Sequence, residues 1–211
     1  MSDRDFNFEP QPGLPAPLPQ GEDLLWQGSP DASTLSREAF KSRWITGYLV
    51  AIALWRAGAA FADGGFAGSV ARLLPYLALA AAGYGVIRFL GWMQARATIY
   101  SITSARVILR IGAALPITYT IPFTCIDNAS VAVNPKTGHG TIAMETKGNM
   151  RLSYGVLWPH VRPWHLRQPQ PAFRAIPDAA RVARILADAA QAKINEPRIE
   201  TQAAPALVAA E

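Results

Sequence analysis

The spacing of apolar positions changes twice along this chain, and each change predicts a different kind of element. Between Trp44 and Gln94 apolar residues run almost unbroken, with Arg56, Asp63, Arg72 and Arg88 as the only charges. The stretch divides into 44–62 and 73–93, runs of 19 and 21 residues. As helices they would rise roughly 28 and 32 Å, close to the ~30 Å hydrocarbon thickness of a bilayer. The pattern therefore predicts a hairpin of two transmembrane helices. The joining loop is "DGGFAGSVAR", and Pro75 falls in the first turn of the second helix, where its missing N–H does least harm.

After residue 95 the period becomes twofold. "TIYSIT" reads as a strand with Tyr100 and Ile102 on one face. "RVILRI" sets Val107, Leu109 and Ile111 against Arg106 and Arg110. "ITYTI" and a longer, bulged "CIDNASVAV" follow, the latter with Cys125 as a small buried residue. "NPKTGHG" is a loop, and "TIAMET" and "MRLSY" form a hairpin around 147–149. Then the period becomes helical. "IPDAARVARILADAAQAK" opens with Pro177 and Asp178 and carries an apolar stripe of Val182, Ile185, Leu186 and Ala189. Six or seven short strands and one helix predict an α+β domain, an antiparallel bent sheet or open barrel capped by the helix.

The predicted order is a proline-rich arm (1–22), a pre-membrane segment (23–43), the hairpin (44–94), the β-domain (95–193) and a flexible tail (194–211). The arm has five prolines between Pro10 and Pro19, which argues for extended, poorly ordered chain. It lacks the apolar core of a signal peptide. The single cysteine excludes an intrachain disulfide.

Charge sharpens the picture. Only 17% of the residues are charged and half are hydrophobic. Residues 1–43 carry four Lys/Arg against seven Asp/Glu, and 95–211 carry thirteen against seven. A basic domain tethered beside an anionic leaflet is drawn to it, which accounts for a pI near 9.7 without nucleic acid. No recognition helix or zinc-ligand spacing is visible. Arg37, Lys41 and Arg43 precede the first span and Arg96, Arg106 and Arg110 follow the second, so both termini are expected in the cytoplasm.

Within the spans, Arg56 and Arg88 lie near opposite ends, and each can reach its nearest interface. Simple anchoring and contact with a partner protein both remain open for them. Trp44, Trp55, Trp92 and Arg96 fit an interfacial belt. Small residues share faces: Gly47, Ala51, Gly58 and Ala62 in the first span, Ala78, Ala81, Ala82 and Gly85 in the second. Such faces allow close helix approach. They serve either to pack the two spans together or to receive a partner's helix or a second copy.

Two segments carry a resemblance. "GEDLLWQGSP" (21–30) fits a Glu-x-x-Leu-Trp-x-Gly-x-Pro pattern through Glu22, Leu25, Trp26, Gly28 and Pro30. "YSITSARVILRIG" (100–112) fits a Tyr-x-Ile-Thr-x-x-Arg pattern through Tyr100, Ile102, Thr103 and Arg106. With two spans between them, they resemble the bacterial PH-like membrane proteins. "FEPQPGLPAPLPQGE" and "WPHVRPWHLRQPQPAFRAIPDAARVARIL" (158–186) look like the photosynthetic complex assembly proteins of purple bacteria, a likeness spanning about residues 6–192. The resemblance implies a PH-like cytoplasmic domain and a non-enzymatic assembly factor of the inner (intracytoplasmic) membrane. The implied partners are the membrane, reaction-centre subunits and a second copy, with no cofactor.

The candidate site is "GVLWPHVRPWHLRQPQPAFR" (155–174). Its prolines hold it extended and cheap to order on a partner. Trp158, His160, Arg162, Trp164, His165 and Arg167 are of types common at interface hot spots. The segment serves either to dock a partner or to wrap the sheet. Ligation of a metal or chlorophyll magnesium by His160 and His165 has little support, since no further ligands lie nearby. Arg106, Arg110, Lys136, Lys147 and Arg151 form either a basic rim toward lipid or an ordinary solvated face. No nucleophile motif or paired carboxylates suggest catalysis. The alternative function is a membrane-tethered lipid-binding or scaffold protein unrelated to photosynthesis.

Overall fold

The computed structural model describes residues 12–148 and 152–195. Four strands, β1 (Leu24–Gly28), β2 (Ile99–Thr103), β3 (Arg106–Ile111) and β4 (Ile117–Pro122), form one antiparallel sheet in that order. A second sheet holds β5 (Ile126–Val133), β6 (Gly140–Thr146) and β7 (Ala172–Ile176), also antiparallel. Helix α4 (Ala179–Asn195) closes the domain. The core between sheets and helix holds Tyr100, Ile102, Val107, Leu109, Ile142, Phe173, Val182 and Leu186 among others. The predicted inner faces of β2, β3 and α4 are therefore the observed ones, and the fold is a membrane-type helical hairpin joined to a PH-like α+β domain.

Helix α2 (Ser42–Ala97) is the hairpin, folded back at Gly65, whose φ of 58° suits a residue without Cβ. Its arms are Ser42–Ala62 and Gly64–Ala97, both long and apolar enough to cross a membrane, and only 6% of the residues in an apolar 18-residue stretch of each are buried. A core helix of a globular protein would be mostly covered; these arms leave Trp44, Leu54, Trp55, Phe61, Leu79 and Phe89 exposed.

The second arm corrects the sequence reading in length. It starts at Gly64, not residue 73, so most of the expected loop is helical and Pro75 lies in the arm's interior. Tertiary packing supports that extra helix, since Gly68 lies against the Ala60 carbonyl of the first arm; further along, Gly83 lies against Leu49. The arm also runs on to Ala97, where its end meets α1 (Ala32–Glu38). Leu35, Ala95 and Ala175 form a small core there, and Gly91 has no side chain because Ser36 occupies its space. Asp31 caps α1 by accepting from the Thr34 amide at 2.7 Å, and its own N–H donates to the Ala175 carbonyl at 2.7 Å. Thus α1 wedges the arm against β7.

Several further expectations change. The pre-membrane segment 23–43 supplies two elements that the sequence reading did not identify, β1 and α1. The arm was expected to be extended and poorly ordered, but Leu14 is buried and Gln27 donates to the Pro12 carbonyl at 2.8 Å. Cys125 lies in a 3-10 turn (Phe123–Cys125) before β5 rather than in a strand. Leu152 and Ser153 are not strand, and Tyr154 opens the short helix α3 (Tyr154–Leu157). The rest of that expected strand, the residues before Pro12 and the tail beyond Asn195 lie outside the described residues.

The small-residue faces do not join the arms. Gly47, Ala51, Gly58, Ala78, Ala81, Ala82 and Gly85 are all exposed. The seam instead holds Leu49, Ala53, Ala57, Ala80 and Gly83, with Arg56 and Tyr76 facing one another. Any heptad-like run can present more than one stripe of small residues, and only packing selects the one that is used.

Candidate functional site

The two sequence patterns meet in space. β1 pairs with β2, so Trp26 lies opposite Ile102 and Gly28 opposite Tyr100. Arg106 donates to both Glu22 oxygens, at 2.9 and 2.6 Å, and Thr103 donates to Glu22 at 2.6 Å. Trp26 packs on Phe173, their ring centroids 5.9 Å apart, and the room it needs is why position 28 is glycine. These residues hold the sheet together and are not an open site.

Segment 155–174 is more informative. It leaves α3, turns at its far end and returns into β7. The Ala172 amide donates to the His160 carbonyl at 3.0 Å, Val161 bridges Pro171, and the Arg162 amide donates to the Gln170 carbonyl at 2.9 Å. The Arg162 side chain also donates to Gln170 Oε1 at 3.0 Å and to Ser130 at 3.4 Å. Those bonds close residues 163–169 into a tight loop.

Its foot is locked. His160 is 1% exposed. Thr98 donates its hydroxyl proton to the Gln94 carbonyl at 2.7 Å, so the His160 Nε2–H, 3.0 Å away, donates to Thr98 Oγ1. The Tyr100 hydroxyl then donates to Nδ1 at 2.6 Å and accepts the Arg174 amide at 3.3 Å. The protons are assigned by this bonding pattern. Burial, assisted by the Arg174 cation, pushes the imidazole down from 6.5 to about 3. Burial likewise raises the Tyr100 phenol and lowers Arg174, whose Nη1 donates to the Pro159 carbonyl at 3.4 Å. The chain of bonds links the end of the second arm, the four-stranded sheet, the loop foot and β7.

The tip is open. Trp164 is 91% exposed and Leu166 65%. Trp164 has φ 68°, a left-handed conformation that costs a bulky residue about 1–3 kcal/mol and persists only where the surroundings impose it. Arg167 is exposed and His165, half-buried, has Nδ1 2.9 Å from the Pro163 carbonyl. Trp158 lies elsewhere, edge-on to Phe40 at 4.9 Å and 43% exposed.

The six residues predicted as a docking set thus separate. Trp164, His165 and Arg167 share the tip; Trp158 sits beside α1; Arg162 closes the loop; His160 is internal and unavailable to a partner. His160 and His165 do not converge, and no cluster of three potential metal ligands occurs among the described residues. The basic rim does not assemble either: Arg106 serves Glu22, Arg110 is buried, Lys147 lies 3.9 Å from Asp127, and Arg151 is outside the described residues.

Of the interface residues, Trp44 and Trp92 are exposed at the open end of the hairpin. Arg96 covers the Trp92 ring at 5.5 Å and Arg88 is half-buried. Arg56 meets a residue of the other arm. Its guanidinium lies 5.9 Å from the Tyr76 ring centre, in the seam between the arms. The residues that sequence reasoning missed are Thr98 and Tyr100 as partners of His160, and Arg174, whose amide donates to the Tyr100 hydroxyl. Tyr100 was assigned to the inner face, but nothing local linked it to a histidine sixty positions away.

The hairpin is thus inserted in a two-sheet domain closed by a helix, with β1 before it and the other strands after it. Residues 43–190 match the model of the bacterial PH domain, and the chain belongs to that family. It is 58% identical over 201 residues to the uncharacterized 23.7 kDa protein in the puhA 5′ region of Rhodobacter capsulatus, covering 94% of each chain. No solved structure matches it.

Proposed function

We propose that this protein is a non-enzymatic assembly factor for the photosynthetic reaction centre, of the PuhB kind. It is held in the bacterial inner membrane with both termini in the cytoplasm. The relative's place beside puhA supports a photosynthetic role, as does the likeness of 158–186 to photosynthetic assembly proteins. The observation that carries the mechanism is the rigid loop that holds Trp164 and Leu166 in solvent. A preorganised aromatic and aliphatic pair loses little entropy on docking. The outward small faces of the hairpin offer a client's transmembrane helices, or a second copy, a close approach.

In this reading the hairpin meets the client within the membrane and the loop holds its cytoplasmic face. Joining the contacts on one chain makes the second effectively intramolecular, so each stays weak enough to release. The buried imidazole, used up by two internal bonds, is structural.

The test is affinity purification of the full chain in gentle detergent from a photosynthetically grown host, with mass spectrometry and an absorption spectrum of the eluate. Reaction-centre subunits enriched over mature antenna, and lost from a Trp164→Ala/Leu166→Ala chain, are the expected result. An eluate of bait and lipid alone would favour a lipid-binding scaffold and overturn the assembly reading.

A further inference from the structure

Where α1 turns into the first arm, the chain leaves an open cleft of about 650 Å³. Arg37, Lys41 and Arg43 supply its cations, Glu38 its carboxylate, and Trp44 and Tyr48 its aromatic surface. Lys41 and Arg43 are exposed, and neither has an ion-pair partner among the described residues. Arg37 is braced from behind, with Nε donating to the Ser33 carbonyl at 3.2 Å and Nη2 to Ser33 Oγ at 3.3 Å. Trp44 is 80% exposed and Tyr48 66%.

The placement of these groups matters more than their number. The cleft sits at Ser42, where the apolar arm begins, which is the depth of lipid phosphates if the arm crosses a bilayer. Trp and Tyr prefer that depth because one side of the ring is apolar and the other meets water. Gly47 lines the membrane-side end of the same cleft, and nothing lies within 4 Å of where its side chain would start. Space for an acyl chain thus adjoins space for a charged head.

We infer that this cleft binds the phosphodiester headgroup of an anionic glycerophospholipid from the cytoplasmic leaflet. Three cations against one carboxylate leave a positive balance, and Glu38 favours a headgroup whose glycerol hydroxyls can donate to it. The inference rests on the reading that the arms cross the membrane, and on no contact with a protein client. It would orient the hairpin base and α1, and through α1 the β7 side of the domain.

The experiment uses the full chain, delipidated in mild detergent and titrated with phosphatidylglycerol, phosphatidylcholine or inorganic phosphate, with bound lipid read by native mass spectrometry. An Arg37→Gln/Lys41→Gln/Arg43→Gln chain is compared with Lys136→Gln/Arg181→Gln/Arg184→Gln, which loses the same charge at exposed sites elsewhere. The expected result is retention of phosphatidylglycerol by the parent and the second chain, and binding weakened roughly a hundredfold in the first. Phosphatidylcholine should bind more weakly, and inorganic phosphate should not displace the lipid. Equal behaviour of the two triple variants would overturn the site, because net charge alone would then explain binding. Displacement by inorganic phosphate would overturn the lipid assignment. A Lys41→Gln chain with the parent's melting temperature should show a smaller loss of the same kind, and parent-like binding by that chain would count against the site. An alkaline wash of native membranes tests the spanning arms separately: release of the chain there would sink that reading, whereas a retained chain without lipid selectivity sinks only the cleft.

Discussion

His160 and His165 stand in one proline-broken segment, yet they have opposite surroundings. His160 is enclosed, holds two hydrogen bonds and stays neutral. His165 lies at a loop tip beside an almost fully exposed tryptophan. The bridge between Val161 and Pro171 divides them. Below it the segment is part of the domain's interior; above it, the segment presents side chains to whatever approaches. Residue type does not distinguish foot from tip, because each has a histidine, an arginine and prolines. What distinguishes them is whether neighbouring elements supply partners for the polar atoms.

The comparison can be tested from the foot outward. His160→Ala should cost about 3 kcal/mol, because it empties a buried site and leaves the Tyr100 hydroxyl proton without an acceptor; thermal melting of the full chain in detergent would measure this. Tyr100→Phe keeps the ring stacked on Phe173 at 4.5 Å but strips Nδ1 of its donor, and about 1–3 kcal/mol should be lost. A loss at neither position would mean that the foot is not locked.

Acidification gives the same answer without mutation. The folded imidazole titrates near 3 and the unfolded one near 6.5. Below 6.5 the unfolded chain gains a proton that the folded chain refuses, so stability present at neutral pH falls as pH drops from 6.5 toward 3. The parent's melting temperature should decline across that window, and a His160→Gln chain should show a flatter profile. Matching profiles would assign the decline to other groups.

At the tip the expected stability effect is the smallest. Trp164→Ala should change stability by under about 0.5 kcal/mol, because alanine keeps the Cβ that opposes the left-handed conformation and so leaves that strain in place. Its effect should appear in client co-purification instead. A large loss of stability there would make the tip a structural wrap, and the contrast with the foot would collapse.

Much of the fold was legible in the residues. The apolar runs announced two long helices, alternation announced β2 and β3 with their inner faces, and the stripe from Val182 to Ala189 announced α4. Each of these is a local periodic signal, fixed by which faces must leave water. β1 and α1 were not legible as elements, because both are short and neither has a strong period. β1 is a strand because β2 offers it an edge, and α1 is held by its Asp31 cap and by the second arm. The same limit applies to the candidate site. Composition marked 155–174 as unusual but could not divide it.

The sequence by itself determined that the chain carries a membrane-length hairpin, a twisted antiparallel domain and a closing helix, because hydrophobic burial acts on patterns that neighbouring residues share. Only the tertiary structure decided which small residues lie in the hairpin seam, that Arg56 faces Tyr76, and that His160 is enclosed while Trp164 stands in solvent. Those outcomes depend on atoms far apart in the chain meeting at hydrogen-bond or van der Waals distance, and no local pattern encodes such a meeting.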